Sequence, residues 1–238
     1  MALQHSPSIV TDGLVLCLDA ANPKSYPGSG TAWRDLSGLS NTGTLTNGPT
    51  YNSANGGSIV LDQVDDIVQV PSPFGDIGWA TTAWSLNWWF KNTFPSSGGF
   101  FQLNTTDINN HAVQSYWQPN IPMTFYFMSN AVGATNATVF TTSTTSMVAN
   151  ETMNFVLCYN GAGLSSVSNF TMYKNGVSLS VSRSNGAAAS ITNTGGIQIG
   201  GVSYRFKGNV YSWSMYNRVL TQQDVTQNFN ALRGRFGL

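Results

Sequence analysis

Short apolar runs separated by turn-forming residues recur along the whole chain, and this spacing is what most limits its possible folds. Alternating runs of about four to eight residues, bounded by Gly, Pro, Asn and Ser, are typical of antiparallel strands. The predicted strands cover residues 14–18, 58–61, 67–70, 84–90, 100–103, 123–128, 153–159, 170–173, 177–181, 197–199 and 208–215. So many short strands favour an all-β, two-sheet antiparallel sandwich over an open sheet.

The clearest turn signal lies within TMYKNGVSLSV, between two alternating runs. Asn175 and Gly176 both tolerate the positive φ angles that a two-residue hairpin turn requires. We therefore predict a hairpin at this point.

One segment near the C-terminus is predicted to be helical. Thr221 can cap its first turn, and Asp224 lies near the positive end of the helix dipole. Its apolar residues fall at helical spacing on one face: Val225, Phe229 and Leu232. We expect this face to pack on the sandwich and Gly234 to end the helix, which leaves Phe236 and Leu238 for burial or for a neighbouring subunit.

Two segments do not fit simple hairpins. The connector 22–50 is too long for one, and we expect Trp33 and Leu36 to anchor it. The threonine-rich stretch 135–146 is either an exposed edge strand or a mobile loop. With no break in composition, we predict an N-terminal arm (1–12) followed by one domain (13–238).

Composition excludes some classes of partner. Only 8% of the 238 residues are charged, and the formal net charge is zero, so binding to nucleic acid through its phosphates is not expected. No apolar run reaches the length of a membrane span, and the N-terminus does not resemble a signal peptide. We expect a soluble chain made in a cytoplasm, with Cys17 and Cys158 as buried free thiols.

The sequence offers little for catalysis. Glu151 is the single glutamate, whereas glycoside hydrolysis needs two carboxyl groups across a cleft. Asp65 and Asp66 are adjacent, so in a strand they would face opposite sides. His111 could act as a base, but no nucleophile elbow accompanies it. We expect no enzymatic activity.

Three acidic residues could bind a metal. Asp62, Asp65 and Asp66 form the one acidic cluster in the sequence, and calcium prefers several carboxylate oxygens. The alternative is that Asp65 and Asp66 accept hydrogen bonds from turn amides.

A carbohydrate site is also possible, because aromatic rings stack on sugars and amide side chains bond to hydroxyls. The segment SYWQPN supplies Tyr116, Trp117, Gln118 and Asn120, and FGDIGWA supplies Trp79. The tryptophans expected in the core instead are Trp84, Trp88, Trp89 and Trp213.

Both ends of the chain resemble a known family. The front carries GLVLCLDAANPKSYPGSGTAWRDLSG, GTLTNGPTY and GGSIVLDQVDDIV, and the back carries GNVYSWSMYNRVLTQQDVTQNFNALRGRFGL. These segments resemble the concanavalin A-like, laminin-G-like jelly rolls of phage virion proteins. The resemblance implies that the first and last strands are close together and that a short helix closes the fold, and relatives of this class often bind calcium. The sequence departs from the family where Gln63 replaces a glycine.

From this resemblance we expect a virion structural protein, such as a capsid decoration or cement protein or a head-fibre or tail-fibre component. Its partners would be capsid or fibre proteins of the same particle, and copies of the chain would form a symmetric oligomer. The alternative is a carbohydrate-binding module for attachment to a host surface.

Overall fold

The computed structural model describes the backbone of residues 7–71, 81–93, 98–104, 111–117, 124–128, 137–142, 148–163, 166–184, 196–200 and 205–238. Its side chains are described in 7–71, 81–93, 148–163, 166–182, 196–200 and 205–238. In chain order the strands are β1 (Leu14–Asp19), β2 (Ala32–Trp33), β3 (Gly43–Thr46), β4 (Thr50–Asn52), β5 (Ser58–Asp62), β6 (Ile67–Val70), β7 (Trp84–Asn92), β8 (Gly98–Asn104), β9 (His111–Trp117), β10 (Thr124–Met128), β11 (Ala137–Thr142), β12 (Thr152–Tyr159), β13 (Phe170–Lys174), β14 (Val177–Leu179), β15 (Val181–Ser184), β16 (Ile197–Ile199) and β17 (Lys207–Tyr216). One helix, α1, spans Gln222–Leu232.

The strands form two antiparallel sheets, as the sequence predicts. Sheet A has the order β14-β13-β12-β7-β17-β5-β4, and β1 pairs with the second half of β17. Sheet B has the order β15-β11-β10-β9-β8-β16-β6-β3-β2. The first and last strands are therefore neighbours, and the fold is an all-β sandwich with one short C-terminal helix.

Large aromatic side chains fill the space between the sheets. Trp88 of β7 stacks on Trp213 of β17 at 5.4 Å between ring centroids, and on Phe155 of β12 at 6.1 Å. Each such ring removes a large apolar area from water, so these contacts stabilise the sandwich strongly. The tryptophans predicted to be in the core are all fully buried, and so is the connector residue Trp33.

Helix α1 begins as predicted but ends differently. Thr221 accepts a hydrogen bond from the Asp224 amide, and the Asp224 carboxylate accepts one from the Thr221 amide, which completes a capping box. The helix ends at Leu232 and continues as a 3-10 turn, Arg233–Phe236. The prediction that Gly234 ends the helix is wrong, because Gly237 is the glycine with left-handed geometry (φ 70°).

The outer face of sheet A is covered by this C-terminal segment. Trp89 of β7 stacks on Phe229 of α1 at 5.5 Å and on Phe236 at 4.6 Å between centroids. The ring centroids of Tyr211 and Phe236 are 4.7 Å apart. Phe236 is therefore packed within its own chain, and Leu238 stays exposed.

The described part of the N-terminal arm also packs on this face. The Val10 amide donates to the Asn228 side chain at 2.8 Å, and the Tyr216 hydroxyl donates to the Val10 carbonyl at 3.1 Å. Asn228 is fully buried although it is polar. Because its amide is satisfied by the arm and by Tyr216, its burial costs little.

Several local predictions can be compared directly with the structure. The hairpin at Asn175 and Gly176 is confirmed, with φ angles of 51° and 80°. The predicted strand 177–181 is wrong as one unit, because the chain leaves sheet A after β14 and enters sheet B as β15. The threonine-rich stretch contains β11, which pairs with β10 and β15 and is therefore an interior strand.

The long connector crosses between the sheets. It leaves β1 of sheet A, supplies β2 and β3 to sheet B, and returns to sheet A as β4. Both predicted anchors hold it: Trp33 is buried in β2, and the Leu36 amide donates to the Cys17 carbonyl at 2.8 Å. Asp35 is a further anchor, whose carboxylate accepts from the Cys17 and Asn41 amides at 2.8 and 2.9 Å.

Cys17 and Cys158 are buried free thiols, as predicted. Burial raises the pKa of Cys17 to about 12 and that of Cys158 to about 11, so neither is a reactive thiolate at neutral pH. Within the part of the chain that the structure describes, no helix has the length and apolar character needed to cross a bilayer.

Candidate functional site

The predicted acidic cluster is assembled by the loop that joins β5 of sheet A to β6 of sheet B. One carboxylate oxygen from each of Asp62, Asp65 and Asp66 lies within 4.8 Å of the other two. Gln63, which stands where the family has glycine, adopts φ 74°. The loop therefore keeps the left-handed turn that a glycine would favour, at a cost in backbone strain.

Two of the three carboxylates are already used by the loop itself. Asp62 accepts a hydrogen bond from the Val64 amide at 2.6 Å, and Asp66 accepts one from the Asp62 amide at 3.0 Å. Asn47 donates to the Asp65 carbonyl at 2.9 Å and holds the loop against the end of β3. Turn-amide bonding thus accounts for Asp62 and Asp66.

The electrostatics of the loop centre on Asp66. Burial raises the pKa of Asp66, and the neighbouring carboxylates of Asp62 and Asp65 raise it further, while the hydrogen bond from the Asp62 amide acts in the opposite direction. A cation beside the three carboxylates would remove this repulsion. Calcium needs six to eight oxygen ligands, whereas Asp62 and Asp66 each commit an oxygen to the loop. Calcium binding here stays a prediction.

The predicted carbohydrate patch is only partly within the described residues. Tyr116 and Trp117 are the last two residues of strand β9. Tyr116 pairs with Gly99 and Thr124, and Trp117 pairs with Gly98. Gln118, Asn120 and Trp79 lie outside the described residues, so the patch stays a prediction.

Strand register reveals a polar feature that sequence analysis missed. In sheet B, Gln69 of β6 pairs with Gln198 of β16, Gln198 pairs with Gln102 of β8, and Gln102 pairs with Gln114 of β9. We call these four residues the amide row. Beyond Gln69 the row of cross-strand pairs continues as Thr44 and Ala32. Beyond Gln114 it continues as Tyr126, Val139 and Ser184.

The amide row belongs to the outward face of sheet B. Gln69 lies between the fully buried Val68 and Val70, and Gln198 lies between the fully buried Ile197 and Ile199. Since successive residues of a strand alternate between faces, the two half-buried glutamines are on the side away from the core. Residues directly opposite each other in an antiparallel sheet share a face, so the register assigns the row to this side.

Within the row, side-chain contacts are described for Gln69 and Gln198. The Gln69 amide nitrogen makes long contacts of 3.3 and 3.4 Å to the carbonyls of Val70 and Ile197. The Gln198 side-chain oxygen is buried, and it has no hydrogen-bond partner among the side chains and backbone that the structure describes. A buried acceptor in this condition costs folding free energy.

The residues considered for catalysis have ordinary structural roles where they are described. Glu151 pairs with Lys174 at 3.2 Å. His111 is the first residue of β9 and lies opposite Asn104 of β8.

No protein-family model matches the sequence, and no curated protein sequence matches it. Solved structures do match the fold. One is a Trypanosoma rangeli sialidase in complex with the inhibitor DANA (TM-score 0.61, 14% identity, 95% of this chain and 35% of the sialidase). Another is the binding domain of botulinum neurotoxin DC in complex with rat synaptotagmin II (TM-score 0.65, 13% identity, 94% of this chain and 52% of that one). A third is the botulinum neurotoxin type G receptor-binding domain (TM-score 0.59, 11% identity, 92% and 51%).

The chain thus spans about a third of the sialidase and half of the toxin domains. Likeness at this identity concerns the fold, which is shared by proteins named as enzymes and by proteins named as receptor-binding domains. Sialidases are among the structures that share this fold. The expectation that this chain has no enzymatic activity is therefore corrected. Its enzymatic status is open.

Proposed function

We propose that this chain is a β-sandwich binding domain that serves as a structural component of a phage particle, as a capsid decoration or cement protein or as part of a head or tail fibre. The observation that carries the proposal is the difference between its two outward faces. The outer face of sheet A is closed by α1 and the 3-10 turn, whereas sheet B has the amide row on its outer side. A sheet face with glutamine residues in register can offer both hydrogen-bond donors and acceptors to a partner.

Two further observations support the particular setting. The two segments that resemble phage virion proteins meet in the fold, because β1 and β5 both pair with β17. One matching structure is named as a receptor-binding domain, and another is named as a binding domain in complex with rat synaptotagmin II. We propose that the partners are capsid or fibre proteins of the same virion and that the chain forms a symmetric oligomer there.

Mass spectrometry of purified particles of the encoding phage tests this proposal. The chain is expected at many copies per particle and is expected to remain bound after a wash at about 0.5 M salt, because only 8% of its residues are charged and ionic contacts are few. Its absence from the particles would contradict the virion role.

A second candidate is a carbohydrate-binding module, and the amide row specifically favours it. Glutamine side chains both donate and accept hydrogen bonds, as sugar hydroxyls do. The two candidates are compatible, since a domain carried on a particle can also bind a glycan.

A further inference from the structure

Asparagine is followed by glycine at five places in the chain. Glycine has no side chain, so its backbone nitrogen can closely approach the side-chain amide of the residue before it. An asparagine in such a pair is open to spontaneous loss of its amide nitrogen, a reaction that makes asparagine thermolabile. The five asparagines are Asn47, Asn55, Asn160, Asn175 and Asn185, of which all but Asn185 lie within the described residues.

Three of the four described asparagines have side chains that are held by hydrogen bonds. Asn47 donates to the Asp65 carbonyl at 2.9 Å. Asn175 accepts from the Asn154 amide at 2.9 Å, and Asn160 accepts from the amide two residues ahead at 2.9 Å. Each of these bonds has to break before the side chain can turn toward the following glycine, which raises the barrier to the reaction.

The fourth side chain, that of Asn55, is not held in this way. It is exposed, and the described part of the chain gives it no hydrogen-bond partner. Asn55 lies in the 3-10 turn Ala54–Gly56, between β4 and β5, and has a left-handed φ of 54°. Gly56 is exposed as well, so water has access to both reacting residues. Within the described residues, this asparagine side chain can therefore approach its glycine without losing a hydrogen bond.

A cation contacts the peptide group that joins Asn55 to Gly56. The Arg235 Nε donates to the Asn55 carbonyl at 3.2 Å, and a second nitrogen of the guanidinium donates to the Gly57 carbonyl at 3.3 Å. The Asp19 carboxylate holds the guanidinium in place at 2.9 Å. A positive charge at a peptide oxygen stabilises the anion that forms when the nitrogen of the same peptide loses its proton. The contact therefore favours the nucleophilic form of the glycine nitrogen.

We propose that Asn55 is a site of spontaneous deamidation that Arg235 promotes. The Gly56 nitrogen gives its proton to water and forms a bond to Cγ of Asn55, which closes a five-membered ring. The bond from Cγ to the side-chain nitrogen breaks, and this nitrogen takes up a proton and leaves as ammonia. Water then adds to one of the two carbonyl carbons of the ring and opens it to aspartate or isoaspartate. The sum of these steps consumes one water, releases one ammonia and needs no oxidant or reductant.

Both products place a carboxylate next to Arg235. Aspartate carries the new charge on its side chain. Isoaspartate carries it on the main-chain carboxyl group that contained the acceptor of Arg235, and it adds one carbon to the backbone of the turn. The chain, whose formal net charge is zero, gains one negative charge. The change lies beside the 3-10 turn Arg233–Phe236, which covers the outer face of sheet A.

The first experiment follows the four described asparagines in the full chain during incubation at neutral pH. Peptide mapping by mass spectrometry measures the conversion of each to aspartate and isoaspartate, in the folded chain and in concentrated urea. In the folded chain Asn55 is expected to convert about fivefold faster than each of the others, the factor that one hydrogen bond supplies. In urea the four rates should become similar, because the fold causes the difference.

Two results of this experiment overturn the site. One is a folded chain in which Asn47, Asn160 or Asn175 converts as fast as Asn55. The other is a preference for Asn55 that persists unchanged in urea, because local sequence and not the fold would then be its cause.

The second experiment tests the role of Arg235. Arg235→Gln keeps a hydrogen-bond donor but removes the charge, and it should slow the conversion of Asn55 about fivefold. Arg235→Lys keeps the charge and should recover part of the rate. Arg233→Gln is the matched control, because Arg233 is exposed on the same turn, and it should leave the rate unchanged. Thermal unfolding establishes that each variant is folded during the incubation.

Conversion that is unchanged or faster in Arg235→Gln overturns the promoting role, because Arg235 would then only restrain the turn. If Arg235→Gln does not fold, the salt dependence of the wild-type rate replaces it. Conversion of Asn55 should then slow in about 1 M salt, which screens the guanidinium charge, while conversion of Asn47 stays constant. An equal response of both asparagines to salt overturns the role of the charge.

Discussion

The two outward faces of the sandwich differ in how their side chains are packed and hydrogen-bonded. On sheet A, the rings of Trp89 and Tyr211 are covered by Phe229 and Phe236 from the end of the same chain. On sheet B, the described glutamines of the amide row are half-buried, and the Gln198 side-chain oxygen has no hydrogen-bond partner among the residues whose side chains are described. The first face therefore contributes stability through burial, whereas the second retains polar groups at a cost in stability. Residues that cost stability are typical of sites that serve a ligand.

The largest effect on stability is expected at the centre of the outer face of sheet A, which we call the closed face because α1 and the 3-10 turn cover it. Trp89→Ala removes a fully buried ring stacked on two others and should lower the free energy of unfolding by about 3–5 kcal/mol. Urea denaturation measures the change. Leu39→Ala is the control, because this apolar side chain is exposed, and it should change stability by less than about 0.5 kcal/mol. Equal effects of the two changes would contradict the assigned role of the closed face.

The closed face also depends on a polar clamp. Arg235 donates to the Asp19 carboxylate at 2.9 Å and to the carbonyls of Asn55 and Gly57 at 3.2 and 3.3 Å. Arg235→Ala should therefore destabilise the chain by about 2 kcal/mol in the same denaturation experiment. Arg233→Ala is the matched control, since Arg233 is exposed and lies 5.9 Å from the Phe229 ring, so a loss of about 0.5 kcal/mol or less is expected. A similar loss from both variants would show that the clamp at Arg235 is not specific.

In sheet B the sign of the effect on stability is expected to reverse. Gln198→Leu removes a buried acceptor that has no partner among the described residues and should raise the free energy of unfolding by about 1 kcal/mol. The control Gln223→Leu, which changes an exposed glutamine of α1, should lie within about 0.5 kcal/mol of the wild type. Destabilisation by Gln198→Leu would mean that the amide row is held by internal hydrogen bonds, and the contrast between the two faces would disappear.

A smaller effect is expected in the loop that joins the two sheets. Gln63 has φ 74°, so Gln63→Gly should relieve backbone strain and stabilise the chain by about 0.5–1 kcal/mol. The neighbouring change Val64→Gly should destabilise it by a similar amount, because glycine there only adds entropy to the unfolded chain. Thermal unfolding of the two variants distinguishes these effects, and a loss of stability in both would exclude strain at Gln63.

The same loop should show a specific pH dependence. Because the pKa of Asp66 is raised in the folded state above its ordinary value of 3.8, the stability that protonated Asp66 provides is present at low pH. That stability is lost as the pH rises from 3.8 through the folded-state pKa. Asp66→Asn should therefore be more stable than the wild type near neutral pH, with a difference that shrinks toward pH 3.

Urea unfolding in the presence of EDTA measures this difference, and a constant difference at all pH values would contradict the effect. Addition of calcium tests the predicted metal site. If calcium binds, it should stabilise the wild type and have a smaller effect on Asp66→Asn.

Much of the architecture follows from local sequence. The alternating runs predict the all-β sandwich, Asn175–Gly176 predicts its hairpin, and Thr221 predicts the start of α1. These features depend on the backbone preferences of adjacent residues, which a single sequence displays. The missed strand β9 and the interior position of β11 show the limit of such patterns, because both depend on pairing with distant strands.

The tertiary structure decided which distant residues meet. Nothing in the sequence connects Gln69 with Gln198, or Gln102 with Gln114, and only strand register aligns them into one row. In the same way, only packing brings Phe236 onto Trp89. The sequence by itself determined the fold class and those elements whose backbone preferences are local, such as the Asn175–Gly176 hairpin and the start of α1. Register and packing determined the two surfaces, because pairing across a sheet joins residues whose separation along the chain carries no local signal.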